Sequence, residues 1–322
     1  MRIGRSASIA AAGAAVGAAI ALAVALRMPT PAPPRPAPKA EFALSAIPKA
    51  HVPPEEKPAA PQPEATPAPA PPPSAPQPPP QREPAWLAYA VPAPPTQGRP
   101  MIAVVIDDMG LNRTQSRRAV ALKGLTLSYL PYGEELPAQT ADARAAGHEL
   151  LVHISMAPEG HEDAGPNALV PGLPEAEVAR RLDWALGKFS GYVGINNHMG
   201  SKFTADEKGM TEVLSRLKSR GLLFLDSRTT AHTVGPAIAH RLGVPLAERS
   251  VFLDNVETVD AVRKQLAELE ATARREGAAI AIGHPKEATL SALGPWLETL
   301  QAKGFVLVPV SAIVRRNLTA RG

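Results

Sequence analysis

The amino-acid sequence predicts an α/β domain whose mostly parallel strands, seven or eight of them, close or nearly close into a barrel. An open doubly wound sheet is the alternative this pattern leaves. Three observations lead there: short apolar runs recur along residues 101–322, helical stretches separate most of them, and acids or histidines cluster where the runs end. Repeated strand–helix units build parallel sheets, and seven or eight of them suit a barrel.

The first run, Ile102-Ala103-Val104-Val105-Ile106, is rich in β-branched residues, shows no alternation, and is followed by Asp107-Asp108-Met109-Gly110. It reads as a strand buried on both faces. Further strand-like runs fall at 125–130, 148–155, 191–196, 222–226, 244–247, 278–283 and 305–308. Helical stretches are clearest at 174–188, 206–220, 257–276 and 287–302, the first opening with Pro174, Glu175 and Glu177. Proline suits a helix's first turn, and acids favour its amino end.

Ahead of this domain the composition changes twice. Residues 1–27 carry Arg2 and Arg5, then an apolar run from Ile9 to Leu26. A membrane anchor with its amino terminus in the cytoplasm is expected, with a cleaved signal peptide as the alternative. Either would export the rest of the chain, to an inner-membrane-anchored or periplasmic location. Residues 28–100 hold 26 of the 37 prolines and read as a disordered Pro/Ala-rich linker. Extended at ~3.1 Å per residue, it would reach on the order of 200 Å. Within it, Trp86, Leu87 and Tyr89 form a cluster of large apolar groups that is a candidate for docking on the domain or on a partner.

The net charge of +4 belongs to this tether: residues 101–322 hold 25 Lys+Arg against 25 Asp+Glu. A neutral domain has no electrostatic footprint for nucleic acid. The chain has no cysteine, so its stability is indifferent to the redox state of its compartment.

The candidate chemistry lies at the strand ends. Asp107-Asp108 close the first run, His153 lies near the end of the third, and Asn196-Asn197-His198 end the fourth. Asp226 ends the fifth, and His284 follows the 278–283 run. Parallel strands would bring these residues together. Adjacent carboxylates repel unless a positive group sits beside them. An Asp and two His form a suitable set for Zn²⁺ or a related divalent ion, with positions left for water and substrate. Each residue taken alone reads as a helix cap or a hydrogen-bonded structural side chain.

The segments "VVIDDMG", "NNHMGSKFT", "LDSRTT" and "AIAIGHP" resemble, in order and spacing, the divergent polysaccharide deacetylase family, a distant branch of the NodB-type carbohydrate esterases. The resemblance spans 101–322. It implies a deformed (β/α) barrel, a divalent metal (often zinc), and hydrolysis of an N-acetyl group on an envelope glycan or peptidoglycan fragment. It implies Asp107 as general base, Asp108 and His153 as metal ligands, His284 as general acid, and Asp226 as the acid tuning His284. The family's second motif histidine is replaced by Ala157, and His198 is expected to supply the third ligand. Asn197, Ser201 and Arg228 are placed on the substrate side. Two other functions fit the same residues: a catalytically weak or inactive glycan-binding module, and a partner protein in envelope remodelling.

Overall fold

The computed structural model describes residues 83–320. The expected anchor or signal segment, 1–27, and most of the linker lie outside them. Among the described residues no helix is long and apolar enough to cross a membrane.

The first strand, β1 (Met101–Met109), stands in the middle of a wholly parallel nine-stranded sheet. On one side of β1 come β2 (Thr126–Tyr129), β3 (Glu149–Met156), β4 (Gly194–Met199), β5 (Leu223–Asp226) and β6 (Leu246–Glu248). On the other come β8 (Ala278–Gly283) and β7 (Val251–Phe252), while the short β9 (Val306–Leu307) pairs the start of β1. The two outermost strands, β6 and β7, are consecutive in the chain. Arg249 N donates to Asp226 O at 3.0 Å and Ser250 N to Ile280 O at 2.8 Å. One extended segment therefore leaves β5 and joins β8, which curls the sheet into the deformed barrel that was expected.

Alternation along the strands divides the apolar residues into two cores. Ile102, Val104 and Ile106 of β1, with Leu150, Val152 and Ile154 of β3, face outward against the helices. Met101, Ala103, Val105, Leu151, Leu223, Leu225, Ile280 and Ile282 face the lumen. Successive strand side chains point to opposite faces, and both faces are covered here, so the strands read as continuous apolar runs.

Each predicted helix is present: α4 (Glu175–Leu186), α5 (Glu207–Arg220), α7 (Val259–Glu276) and α8 (Glu287–Leu300). Caps set their limits, as where Asp206 accepts from Gly209 N at 3.3 Å to open α5. Five further helices among the described residues are less marked in the sequence: α1 (Ala85–Ala88), α2 (Arg113–Val120), α3 (Leu136–Ala145), α6 (Gly235–Leu242) and α9 (Val310–Thr319). They are short, and α3 buries only Leu136, Thr140 and Ala143, too little apolar surface for a helical stripe to be visible.

The linker ends earlier than its composition suggested. Trp86 is 6% exposed and packs into the lumen core, and its backbone N–H donates to Gly221 O at 2.9 Å. The α9 helix contributes Val310, Ile313 and Val314 to the same core. Its first amides are capped from the lumen side, Val310 N by Thr126 Oγ1 and Ser311 N by Glu149 Oε1. The start of the barrel is thus filled by Trp86 and α9, and any opening for chemistry lies at the strands' carboxyl ends.

Candidate metal and acid–base site

Two adjacent strand residues ordinarily point to opposite faces, which would keep Asp107 and Asp108 apart. A bulge resolves this. The β1–β2 register passes from Ile106↔Leu127 to Met109↔Tyr129, one extra residue on β1, and Asp108 takes φ 54°. Ile106 and Met109 both remain in the outer core, so the bulge turns both acids toward the lumen.

His153 follows Leu151 on the lumen face of β3, and β4 places Asn196 and His198 beside it through the pairs His153↔Asn196 and Ser155↔His198. Asp108 Oδ1 lies 2.9 Å from His198 Nδ1 and 3.4 Å from His153 Nε2, and the two ring nitrogens are 3.2 Å apart. Four donors at ~2.0–2.1 Å around a tetrahedral ion would stand roughly 3.3 Å from one another. The triangle matches that edge. Asp108 Oδ1 is buried and has no hydrogen-bond partner besides these two ring nitrogens, which a cation would draw together with it. The three residues fit a divalent metal, with His198 as the third donor.

Beneath the triangle Asn196 ties the base to the ligand. Its Oδ1 lies 2.9 Å from His153 Nδ1, and its Nδ2 donates to both carboxylate oxygens of Asp107 at 2.9 and 3.0 Å. A proton on Nδ1 donated to Asn196 leaves the Nε2 lone pair facing Asp108 and His198. Burial raises the Asp107 carboxyl, outweighing the lowering by His153, His284 and the Asn196 hydrogen bond. Burial also acts on Asp108, but the adjoining His153 and His198 rings hold it far below the usual carboxylate range.

Across β1 from the triangle, His284 Nε2 stands 3.7 Å from Asp108 Oδ2. Its Nδ1 meets Asp254 Oδ1 at 3.0 Å, and its backbone N–H donates to Asp254 Oδ2 at 2.7 Å. Thr289 Oγ1 donates to the same oxygen. Burial disfavours the charged ring, but the Asp254 hydrogen bond and the carboxylates of Asp108 and Asp107 outweigh it, so His284 is raised.

The acid against His284 is therefore Asp254, not Asp226 as the resemblance implied. On β5, Leu223 and Leu225 face the lumen and Phe224 faces outward, so Asp226 falls on the outer side. There its oxygens accept from Thr233 Oγ1 at 2.7 Å and Arg228 N at 2.8 Å, folding the loop that leads into α6. Asp254 was missed because only the position of the short β7 brings it to His284. The "LDN" at 253–255, an acid after an apolar pair, is the signal that would have found it.

Of the three substrate-side residues, one is closed off. Asn197 is 1% exposed, its Oδ1 accepting from Ser227 N and its Nδ2 donating to Met199 O, so it braces two loops and is not open to a substrate. Ser201 Oγ accepts from Glu159 N at 2.8 Å, and the Arg228 guanidinium lies 3.3 Å from Glu248. Ser201 thus holds a neighbouring loop, and Arg228 reaches the end of β6, both at the rim.

Known proteins share this arrangement of strands. The protein YibQ of Escherichia coli strain K12, itself uncharacterized, is 36% identical over 193 residues, 60% of this chain and 60% of its own length. An uncharacterized Haemophilus influenzae protein is 33% identical over 200 residues, 62% of this chain and 71% of its own. The chain thus spans about three-fifths of the E. coli relative. The crystal structure of the uncharacterized protein ATU2773 from Agrobacterium tumefaciens C58 superimposes with a TM-score of 0.69 at 30% identity, over 71% of this chain and 94% of that one. Residues 104–314, which include every member of the cluster, match the family described as divergent polysaccharide deacetylase, and the chain belongs to that family.

Proposed function

We propose that the protein is a metal-dependent hydrolase that removes N-acetyl groups from an envelope glycan, acting outside the cytoplasm at the end of its amino-terminal tether. The observation that carries the reading is the division of the site about Asp108. A donor triangle stands on one side and a half-buried, acid-paired histidine on the other. Membership of a deacetylase family and an exported layout in the sequence support it.

A divalent ion held by Asp108, His153 and His198, Zn²⁺ by the donor chemistry, would supply Lewis-acid polarisation of the amide carbonyl and of water. The chain's own residues supply the proton transfers. Asp107, whose proton affinity is raised by burial, takes the proton of the attacking water. Asn196 holds the Asp107 carboxylate by both oxygens and keeps it oriented. His284, its proton affinity raised and its ring held by Asp254, gives its Nε2 proton to the leaving amine. The water oxygen bonds to the carbonyl carbon, the C–N bond breaks, and acetate and the free amine leave.

The test is metal content and acetate release from N-acetylated glycan oligomers, with wild type, Asp107→Asn and His284→Ala. Acetate release with bound zinc in the wild type, and its loss in both variants, is the expected result. Glycan binding without acetate release would leave the binding-module function standing instead. A protein that holds no divalent ion at neutral pH would refute the metal-dependent reading.

A further inference from the structure

With Trp86 docked in the lumen, Tyr89 at the end of α1 is left 42% exposed. It lines a recess of about 310 Å³ together with Tyr192 and Arg220. A second recess, of about 540 Å³, is lined by Thr140, Arg144 and Lys188 and shares Ser190 and Gly191 with the first. A Cβ at Gly191 (φ 82°) would meet nothing nearer than the Arg144 side chain at 4.0 Å, so Gly191 puts no wall between the recesses. Together they form a groove at the amino ends of β3, β4 and β5. Arg144 stands in the last turn of α3 ahead of β3, Tyr192 two residues before β4, and Leu222 one residue before β5. The metal triangle lies at the opposite ends of these strands, on the order of 20 Å away along the six residues of β4.

The groove is basic. Arg144, Lys188 and Arg220 line it, and no Asp or Glu does. Arg220 is paired with Asp183 at 2.6 Å, but neither Arg144 nor Lys188 makes an ion pair among the described residues. Arg144 Nη1 donates to His148 O at 3.3 Å, while the nearby Glu149 gives its oxygens to Ser311 and Val91. Asp142, on another face of α3, opens on a separate recess with Arg113 and Arg117. The Lys188 ammonium sits 4.3 Å from the centre of the Trp184 ring, which positions it without neutralising it. Tyr192 packs edge-on against Phe189, their centroids 5.5 Å apart, and its hydroxyl donates to Leu186 O at 2.9 Å. One recess therefore offers aromatic surface, and the other offers two cations without a counter-ion.

We propose that this groove is a second, non-catalytic glycan site, which holds an anionic strand whose sugars carry carboxylates. Sugar rings lay their C–H faces on Tyr89 and Tyr192, and the carboxylates reach Arg144 and Lys188. The choice of a glycan rests on the hydrolase reading: the polymer held here is the one whose N-acetyl groups are cut at the other end of the barrel. The binding itself needs neither metal nor reaction. Rings beside cations in a concave groove suit a sugar polymer, whereas a flat anionic membrane surface would not reach into it. A second grip on one long strand raises the effective concentration of its remaining sugars at the catalytic mouth. Tyr89 belongs to the segment that Trp86 docks, so that docking completes the groove.

The test measures binding of two octasaccharides to the full-length, zinc-free protein, so that no bond is cut. One strand alternates N-acetylglucosamine with N-acetylmuramic acid and carries free carboxylates; the other is N-acetylglucosamine throughout and neutral. The acidic strand binds about five- to tenfold tighter, the worth of two exposed ion pairs, and added salt shrinks the advantage. In the double variant Arg144→Gln, Lys188→Gln the ratio falls to about one, while Lys188→Arg keeps it. Tyr89→Ala weakens both strands alike, by about three- to tenfold. Equal binding of the two strands by the wild type, or unchanged binding in the variants, overturns the site. So does displacement of the strand by phosphatidylglycerol vesicles but not by phosphatidylcholine ones, which would make the groove a membrane contact. Acetate release by the zinc-loaded wild type is scored separately. Release without charge-selective binding keeps the hydrolase reading and removes the groove, and selective binding without release keeps the groove and removes the hydrolase reading.

Discussion

Replacing His198 with alanine tests the candidate site at its least expected member. The wild-type donors stand 2.9, 3.2 and 3.4 Å apart, so a tetrahedral ion is accepted with little rearrangement. Changes to residues that merely orient a ligand cost about 10–100-fold in metal affinity, so removing a donor atom costs at least about 100-fold. With free zinc at about 100 times the wild-type Kd, binding stabilises the native protein by about 2.7 kcal/mol. For the variant the same zinc equals its Kd and contributes about 0.4 kcal/mol. The difference, about 2.3 kcal/mol, corresponds to roughly 5–9 °C in Tm for a domain of this size. The assay is thermal unfolding of each protein with and without zinc, so that any change in the fold itself cancels, together with zinc stoichiometry. Unchanged affinity and unchanged zinc-dependent stabilisation in the variant would refute His198 as a ligand.

The geometry sets five further outcomes. Asn196→Ala frees His153 Nδ1 and the Asp107 carboxylate together, and zinc affinity falls about 10–100-fold in a titration against a competing chelator. Asp254→Asn lowers kcat/KM about 100-fold and moves the alkaline fall-off to lower pH, because His284 must be protonated and its raised affinity depends on Asp254. In the same rate–pH measurement Asp226→Asn leaves that fall-off in place, and a shift there would show the two acids wrongly assigned. Without metal, Tm falls as the pH rises through neutrality. Asp107, Asp226, Glu149, His153 and His284 are all raised when folded, so the stability they contribute is present below their ordinary values (3.8 for Asp, 4.5 for Glu, 6.5 for His) and fades as pH rises through the raised ones. Zinc competes with the proton on His153 and restores most at the alkaline end, while a metal-free Tm that climbs over this range would contradict the account. Trp86→Ala empties the start of the lumen and costs about 3–5 kcal/mol in denaturant unfolding, whereas a change below about 0.5 kcal/mol would mean that residues 84–100 are only tether.

Much of the fold was legible because buried parallel strands leave an uninterrupted mark. Runs such as Ile102–Ile106 and Ala278–Gly283 are apolar on both faces, and the polar residues that end them stand out by contrast. The same contrast located Asp107, Asp108, His153, His198 and His284, and the structure brings all five to one mouth. The short helix α3 buries few large side chains, and so its segment carried little periodic signal.

By itself, the sequence determined which residue types gather at the strand ends and that they share one edge of a parallel sheet, since both depend on local composition and strand direction. Only the tertiary structure decided which of them face one another. A single extra residue at Asp108 turns two adjacent acids to the same side. Strict alternation sends Asp226 to the outer face, and a two-residue strand carries Asp254 to His284 instead. Facing depends on register and on pairing between segments distant in the chain, where a shift of one residue reverses every side chain.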